Sequence, residues 1–161
     1  MMTAAKGMAN GAPIGATMAT PEIADSLKGL TISTFGGNPV AARAAKATID
    51  FIESECLLEN ARVVGGYLRE RLQELQEKYP LIGDVRGMGL MQGVELVKDR
   101  KTKEPAVEEM RRLMDLTKEN GLIIGKGGLY GNVLRVSPAL TCSRDDVDNA
   151  VGVLDLSFGQ L

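Results

Sequence analysis

The sequence predicts an α+β fold, a small and mostly antiparallel sheet covered by helices. Three observations predict it. From Asn38 onward the segments read helix, helix, strand, strand, helix, strand, strand, helix, which suits a helix-covered sheet better than an alternating parallel one. The strand candidates are short, and the pair at 81–97 meets around Gly87-Met88-Gly89, a hairpin or bulged turn. The helices carry residue-level start and stop signals.

Residues 1–37 are rich in Gly, Ala, Met and Thr and carry little helical periodicity. Gly15 to Thr20 is short and apolar enough for a buried strand. Pro21 opens a short helix reaching Leu27, with Glu22 near its positive end. Asn38-Pro39 starts a long helical stretch, an N-cap followed by proline at the first position. A break is expected at Cys56 to Glu59. Beyond it, Ala61, Gly65, Leu68, Leu72, Leu75 and Tyr79 share one stripe, and Pro80 ends the helix. Leu81 to Arg86 and Leu90 to Val97 read as strands, and Asp99 to Glu104 as a charged loop. Pro105 starts a helix with the stripe Val107, Met110, Met114 and Thr117, stopped by Asn120-Gly121. Leu122 to Gly125 and Val133 to Ser137 are further strands. Ser143-x-x-Asp146 is a capping box opening a last helix with the face Val147, Ala150, Leu154 and Phe158.

Composition narrows the function classes. The 161 residues carry a net charge of -2, with 44% hydrophobic and 25% charged residues, a globular profile. The acidic balance offers no basic face to nucleic acid or to an anionic membrane. No apolar run approaches the ~20 residues of a membrane helix. Cys56 and Cys142 make no zinc or redox motif. The chain has no histidine, which excludes Ser-His and Cys-His nucleophile pairs and His-based metal sites. Acid–base chemistry must then use Lys, Asp, Glu, Tyr or Cys, which favours a lysine-centred mechanism.

Two segments could carry chemistry. In Ser33-Thr34-Phe35-Gly36-Gly37-Asn38-Pro39, two glycines lead into a helix N-terminus, with Thr34 adding a hydroxyl. Such a turn can bind a phosphate, or it is an ordinary capped loop. In the other, Lys6 sits among Ala4, Ala5, Gly7, Met8 and Ala9. Apolar surroundings make a lysine a better amine nucleophile; the other reading is a solvated lysine near a terminus. The segment Gly125-Lys126-Gly127-Gly128 resembles the G-x-x-G loop of KH-type RNA-binding modules, but it is expected between strands rather than between helices.

Together, AKGMANGAPIGA (5–16) and STFGGNP (33–39) resemble the cofactor-lysine and phosphate-contact motifs of class III, or omega-type, aminotransferases. The nearest flavour is that of alanine–glyoxylate and 4-aminobutyrate aminotransferases. Gly83 to Glu95 resembles the family's small-domain hairpin, and Asn132 to Leu140 its late strand and turn. The resemblance implies a fold-type I enzyme that uses pyridoxal 5′-phosphate. It implies that Lys6 holds the cofactor covalently and later shuttles a proton to and from the substrate carbon. It also implies that Thr34, with the backbone at Gly36 and Gly37, bonds the cofactor phosphate across a dimer, and that Arg135 pairs with the substrate carboxylate. For Arg135 the alternative is a surface strand residue.

The resemblance divides the chain into a remnant of the cofactor-binding large domain (1–37), connecting helices (38–79) and a small C-terminal α+β domain (80–161). The family's ring-nitrogen aspartate, glycine-rich loop and stacking aromatic precede the lysine, whereas Lys6 is preceded by five residues, and Glu22 and Asp25 do not match that aspartate's context. The implied activity is transfer of an amino group from an amine or amino acid to a 2-oxo acid. The chain alone is expected to be inactive or nearly so, needing a homo-oligomer or a companion N-terminal half. A non-catalytic domain acting in dimerisation or docking is the alternative. The expected location is cytoplasmic, with an organelle left open.

Overall fold

The computed structural model describes residues 1–161. The chain divides into two compact units, Met1–Cys56 and Leu57–Leu161. Mixed helix and antiparallel sheet appear as expected. No helix is long and apolar enough to cross a membrane.

The first unit opens with an antiparallel hairpin of β1 (Met2–Ala5) and β2 (Gly15–Met18), with Ala5 opposite Gly15. A 3₁₀ turn, Lys6–Ala9, lies between them. Strand β1 was not expected: Met-Thr-Ala-Ala has no alternating pattern, and backbone pairing with β2 alone defines it. α1 is a single turn, Pro21–Ala24, shorter than expected. α2 (Pro39–Ser54) starts at the expected signal, with Asn38 Oδ1 accepting from the Ala41 N–H at 2.9 Å. Its residues Ala41 and Ala45 are buried, as is Ala9 of the 3₁₀ turn, which packs against this helix. Three alanines let the two backbones approach closely.

Cys56, with φ 51, ends the unit. A left-handed residue cannot continue a helix, and the expected break falls there.

The second unit holds α3 (Leu57–Lys78), β3 (Ile82–Met88), β4 (Met91–Leu96), α4 (Val107–Glu119), β5 (Gly125–Gly127), β6 (Val133–Val136) and α5 (Arg144–Phe158). The four strands form one antiparallel sheet in the order β3-β4-β6-β5. The core unites Leu68 and Leu72 of α3, Val94 of β4, Met110 and Leu113 of α4, and Leu154 of α5.

Several elements differ from expectation for identifiable reasons. Pro105 does not start α4; it bridges to Val97, and the helix begins at Val107. The buried stripe of α4 is Met110, Leu113 and Thr117, so Val107 and Met114 sit at its margin. In α5, Val151 is buried where Ala150 is half-buried. Leu122 and Ile124 pack against the core, so the strand begins at Gly125 instead of Leu122. The apolar run supplies packing, and the glycines after it supply the ladder. Because β5 pairs with β6, the Gly125–Gly128 segment does not join two helices, and the KH reading fails.

The charged loop at 99–104 contains a cap that the sequence did not signal. The Arg100 guanidinium donates to the carbonyls of Gln76, Tyr79, Pro80 and Ile82. It satisfies the carbonyls left open where α3 ends and β3 begins. Arg100→Ala is expected to cost about 1–2 kcal/mol, the scale of charge-assisted bonds discounted for exposure. A urea unfolding curve checks it; an unchanged midpoint would mean that water caps α3 equally well.

Candidate functional site

Lys6 follows extended Ala5 and has φ 56, the left-handed region. Asn10, at the other end of the turn, has φ 46. Such conformations cost an L-residue about 1–2 kcal/mol and gather where surrounding structure holds a side chain in place. Here the holding structure is the β1–β2 hairpin on one side and the small-residue face of α2 on the other. Met8 and Ala9 turn inward while Lys6 stays exposed. The result is a primary amine fixed at the base by its backbone and open to a reactant.

Thr34 lies in a turn stabilised by the Gly36 N–H donating to Ser33 O and the Asn38 N–H donating to Phe35 O. The Asn38 side chain also donates to Phe35 O at 3.0 Å. A Cβ at Gly36 would lie 2.9 Å from the Ser33 side chain, and Gly37 has φ 67. Both positions therefore suit glycine, one for space and one for conformation. Thr34 is exposed. Ser33, Phe35, Gly36 and Gly37 of the turn line a shared groove of ≈ 330 Å³ with Pro13, Ile14 and Gly15. The loop that follows the Lys6 turn thus leans on the Thr34 turn within one unit.

Arg135 belongs to the second unit. Leu134 and Val136 are buried, so the intervening Arg135 emerges on the opposite, exposed face of the sheet. Register sets a row across the sheet: Arg86, Gly93, Arg135, Gly125. Its two arginines differ. Arg86 donates to Asp84 at 2.7 Å and to Glu95 at 2.5 Å. The bond to Asp84, then that to Glu95, raises its pKa, so it is a satisfied, permanently charged group. Within its own unit, Arg135 has no carboxylate partner. The start of β6 is held by Asn132, which is buried. Its amide donates to Leu96 O at 2.8 Å, and its carbonyl accepts from the Leu96 N–H at 2.8 Å.

The sequence did not distinguish these arginines, because the distinction rests on cross-strand register. It did signal Asn132, as part of the late strand, without its anchoring role. Of the two thiols, Cys56 is exposed and Cys142 buried. Burial, then the Asp146 charge, pushes the Cys142 thiol up, which marks an inert core thiol.

The class-III aminotransferase family model matches residues 1–157. Alanine–glyoxylate aminotransferase 2 homolog 2, mitochondrial, of Arabidopsis thaliana is 51% identical over 162 residues, covering 100% of this chain and 34% of the relative. Leucine/methionine racemase of Thermococcus litoralis is 46% identical, covering 100% of this chain and 36% of the relative. Among solved structures, an aminotransferase from Bacillus anthracis superposes with a TM-score of 0.92 at 37% identity, over 99% of this chain and 38% of that one. The chain spans about a third of the length of the curated relatives it matches.

Proposed function

Because the chain belongs to the class-III aminotransferase family, we propose that it supplies the cofactor lysine, the phosphate-contact turn and a carboxylate-binding arginine to an enzyme that moves an amino group from an amine or amino acid to a 2-oxo acid. The observation that carries the reading is Lys6, an exposed primary amine on a left-handed backbone between a hairpin and α2. The donor set suits pyridoxal 5′-phosphate: an amine for its aldehyde, and for its phosphate a turn with a hydroxyl and two glycines before a helix N-terminus.

When bound, that group supplies a carbonyl and a conjugated ring that draws electrons from the substrate carbon. Everything else falls to the chain. Lys6 Nζ would hold the cofactor, and as a free amine it would take the proton from the substrate carbon. Thr34 Oγ1 and the backbone at Gly36 and Gly37 orient the phosphate. Arg135 binds the substrate carboxylate through two parallel hydrogen bonds.

The likeness to a racemase favours a second reading: return of that proton to the other face of the same carbon, with no nitrogen transferred. Lys6 serves either, and supplying a 2-oxo acid acceptor separates them. The exposed Leu30, Ile32, Phe35 and Val40 support an apolar docking surface for a second copy or a companion N-terminal half, consistent with the site needing more than this chain. The working location is the cytoplasm or, from the Arabidopsis relative's name, an organelle.

Incubation with pyridoxal phosphate, borohydride reduction and peptide mass analysis test the reading. Label concentrated on Lys6 supports it; label spread evenly over the lysines overturns it.

A further inference from the structure

We propose that Gly125 is a positioning residue that seats the Arg135 guanidinium on the exposed face of the sheet; this rests on the carboxylate role given to Arg135. Glycine weakens a strand, because it costs backbone entropy and packs nothing. Gly125 has no conformational excuse, since its φ lies outside the left-handed region. Its neighbours supply another reason. A Cβ built there would lie 3.4 Å from Arg135 Nη2, 3.5 Å from Nε and 3.8 Å from Cζ. The guanidinium therefore lies over the bare backbone of β5. A single methyl would just touch it, while anything larger would occupy its seat.

On the other side of Arg135, Gly93 of β4 is also bare. Its Cβ would meet Val133 Cγ1 at 3.3 Å, Arg86 O at 3.7 Å and no atom of the Arg135 side chain. The side chain is thus laid toward β5, away from Arg86 and its two carboxylates. That direction separates a guanidinium available to a ligand from one already neutralised. The two cross-strand neighbours of Arg135, Gly93 and Gly125, bring no side chain against it.

Gly127 provides the control. It lies two residues along the same strand, on the same face, with an ordinary φ and nothing within 4 Å of an added Cβ. Valine at either position changes strand propensity alike, but only at 125 does it displace the guanidinium.

The experiment is a titration of the 161-residue chain with sodium acetate at constant ionic strength, read at the Arg135 Nε–Hε signal by NMR and assigned through Arg135→Gln. In the unmodified chain a saturable shift is expected. Gly125→Ala should bind nearly as well. Gly125→Val should bind about tenfold more weakly, the loss of one of two charge-assisted hydrogen bonds, and Gly127→Val should match the unmodified chain. Equal weakening in both valine variants, or none in Gly125→Val, overturns the positioning role and leaves Arg135's role standing. No saturable shift in the unmodified chain overturns both.

Discussion

Replacing Gly65 with alanine should destabilise the second unit by about 3 kcal/mol, the upper range for overpacking a fitted core. Helix propensity alone argues the reverse. Gly65 lies inside α3, where alanine ordinarily gains about 1 kcal/mol over glycine. Packing decides the sign. A Cβ at Gly65 would fall 2.2 Å from Gly89 C and 2.5 Å from Gly89 O, and these are backbone atoms with no rotamer to give. Nor can Gly89 retreat freely. It has φ 53, its own Cβ position lies 3.1 Å from Ala61 O, and its carbonyl accepts from Gln92 Nε2 at 2.6 Å. Helix and hairpin meet here backbone to backbone.

Gly66 is the internal control. It is exposed in the same helix turn, with nothing within 4 Å of an added Cβ. Gly66→Ala should stabilise by about 1 kcal/mol through propensity alone. Urea unfolding of both variants, with slopes unchanged, is the measurement. If the two midpoints move together, α3 and the hairpin do not touch as described. The contact bears on Arg135 as well, since the hairpin includes β4, whose Gly93 pairs with Arg135.

Much of this was legible because local signals and packing agreed. Asn38-Pro39 opens α2, Ser143 and Asp146 form the capping box of α5, and Leu68, Leu72 and Leu75 line the buried face of α3. What escaped depends on partners distant in sequence. Strand β1 exists only through β2. Arg100 caps α3 from 21 to 24 residues away. Leu122 and Ile124 read as strand until the core claims them. Lys6, Thr34 and Arg135 are proposed as site residues from motif resemblance alone. That Arg86 is neutralised and Arg135 is not required register, as did the bare seat at Gly125. The close approach of Gly65 to Gly89 was hidden too, because a glycine on an apolar stripe does not announce what faces it.

Lys6→Gly should reduce labelling of that position by pyridoxal phosphate and borohydride to background without weakening the fold. Glycine is the informative choice. At φ 56 it relieves the left-handed cost, so the variant should be as stable as the parent or more so, and lost labelling cannot be assigned to misfolding. Lys6→Arg completes the argument, because it keeps the charge yet offers no amine that can lose its proton.

The other lysines form an unequal background. Lys46 is paired to Asp50 at 2.7 Å, Lys78 to Asp155 at 2.8 Å and Lys98 to Glu104 at 2.7 Å. Hydrogen bonding to Asp155 and to Glu104 raises the pKa of Lys78 and Lys98, which makes their free-amine form scarcer. Lys103 is the matched control: it too is left-handed, with φ 60, and exposed. Lys103→Gly removes an amine of the same backbone type but lies outside the Lys6 turn, so it should leave labelling at Lys6 intact. Equal labelling of Lys6 and Lys103 in the unmodified chain, above that of the remaining lysines, would mean that the left-handed backbone exposes a lysine without selecting it. Selection would then have to come from the Thr34 turn, and substitution of Thr34 by valine would leave Lys6 labelling unchanged only if the turn had no part in holding the phosphate.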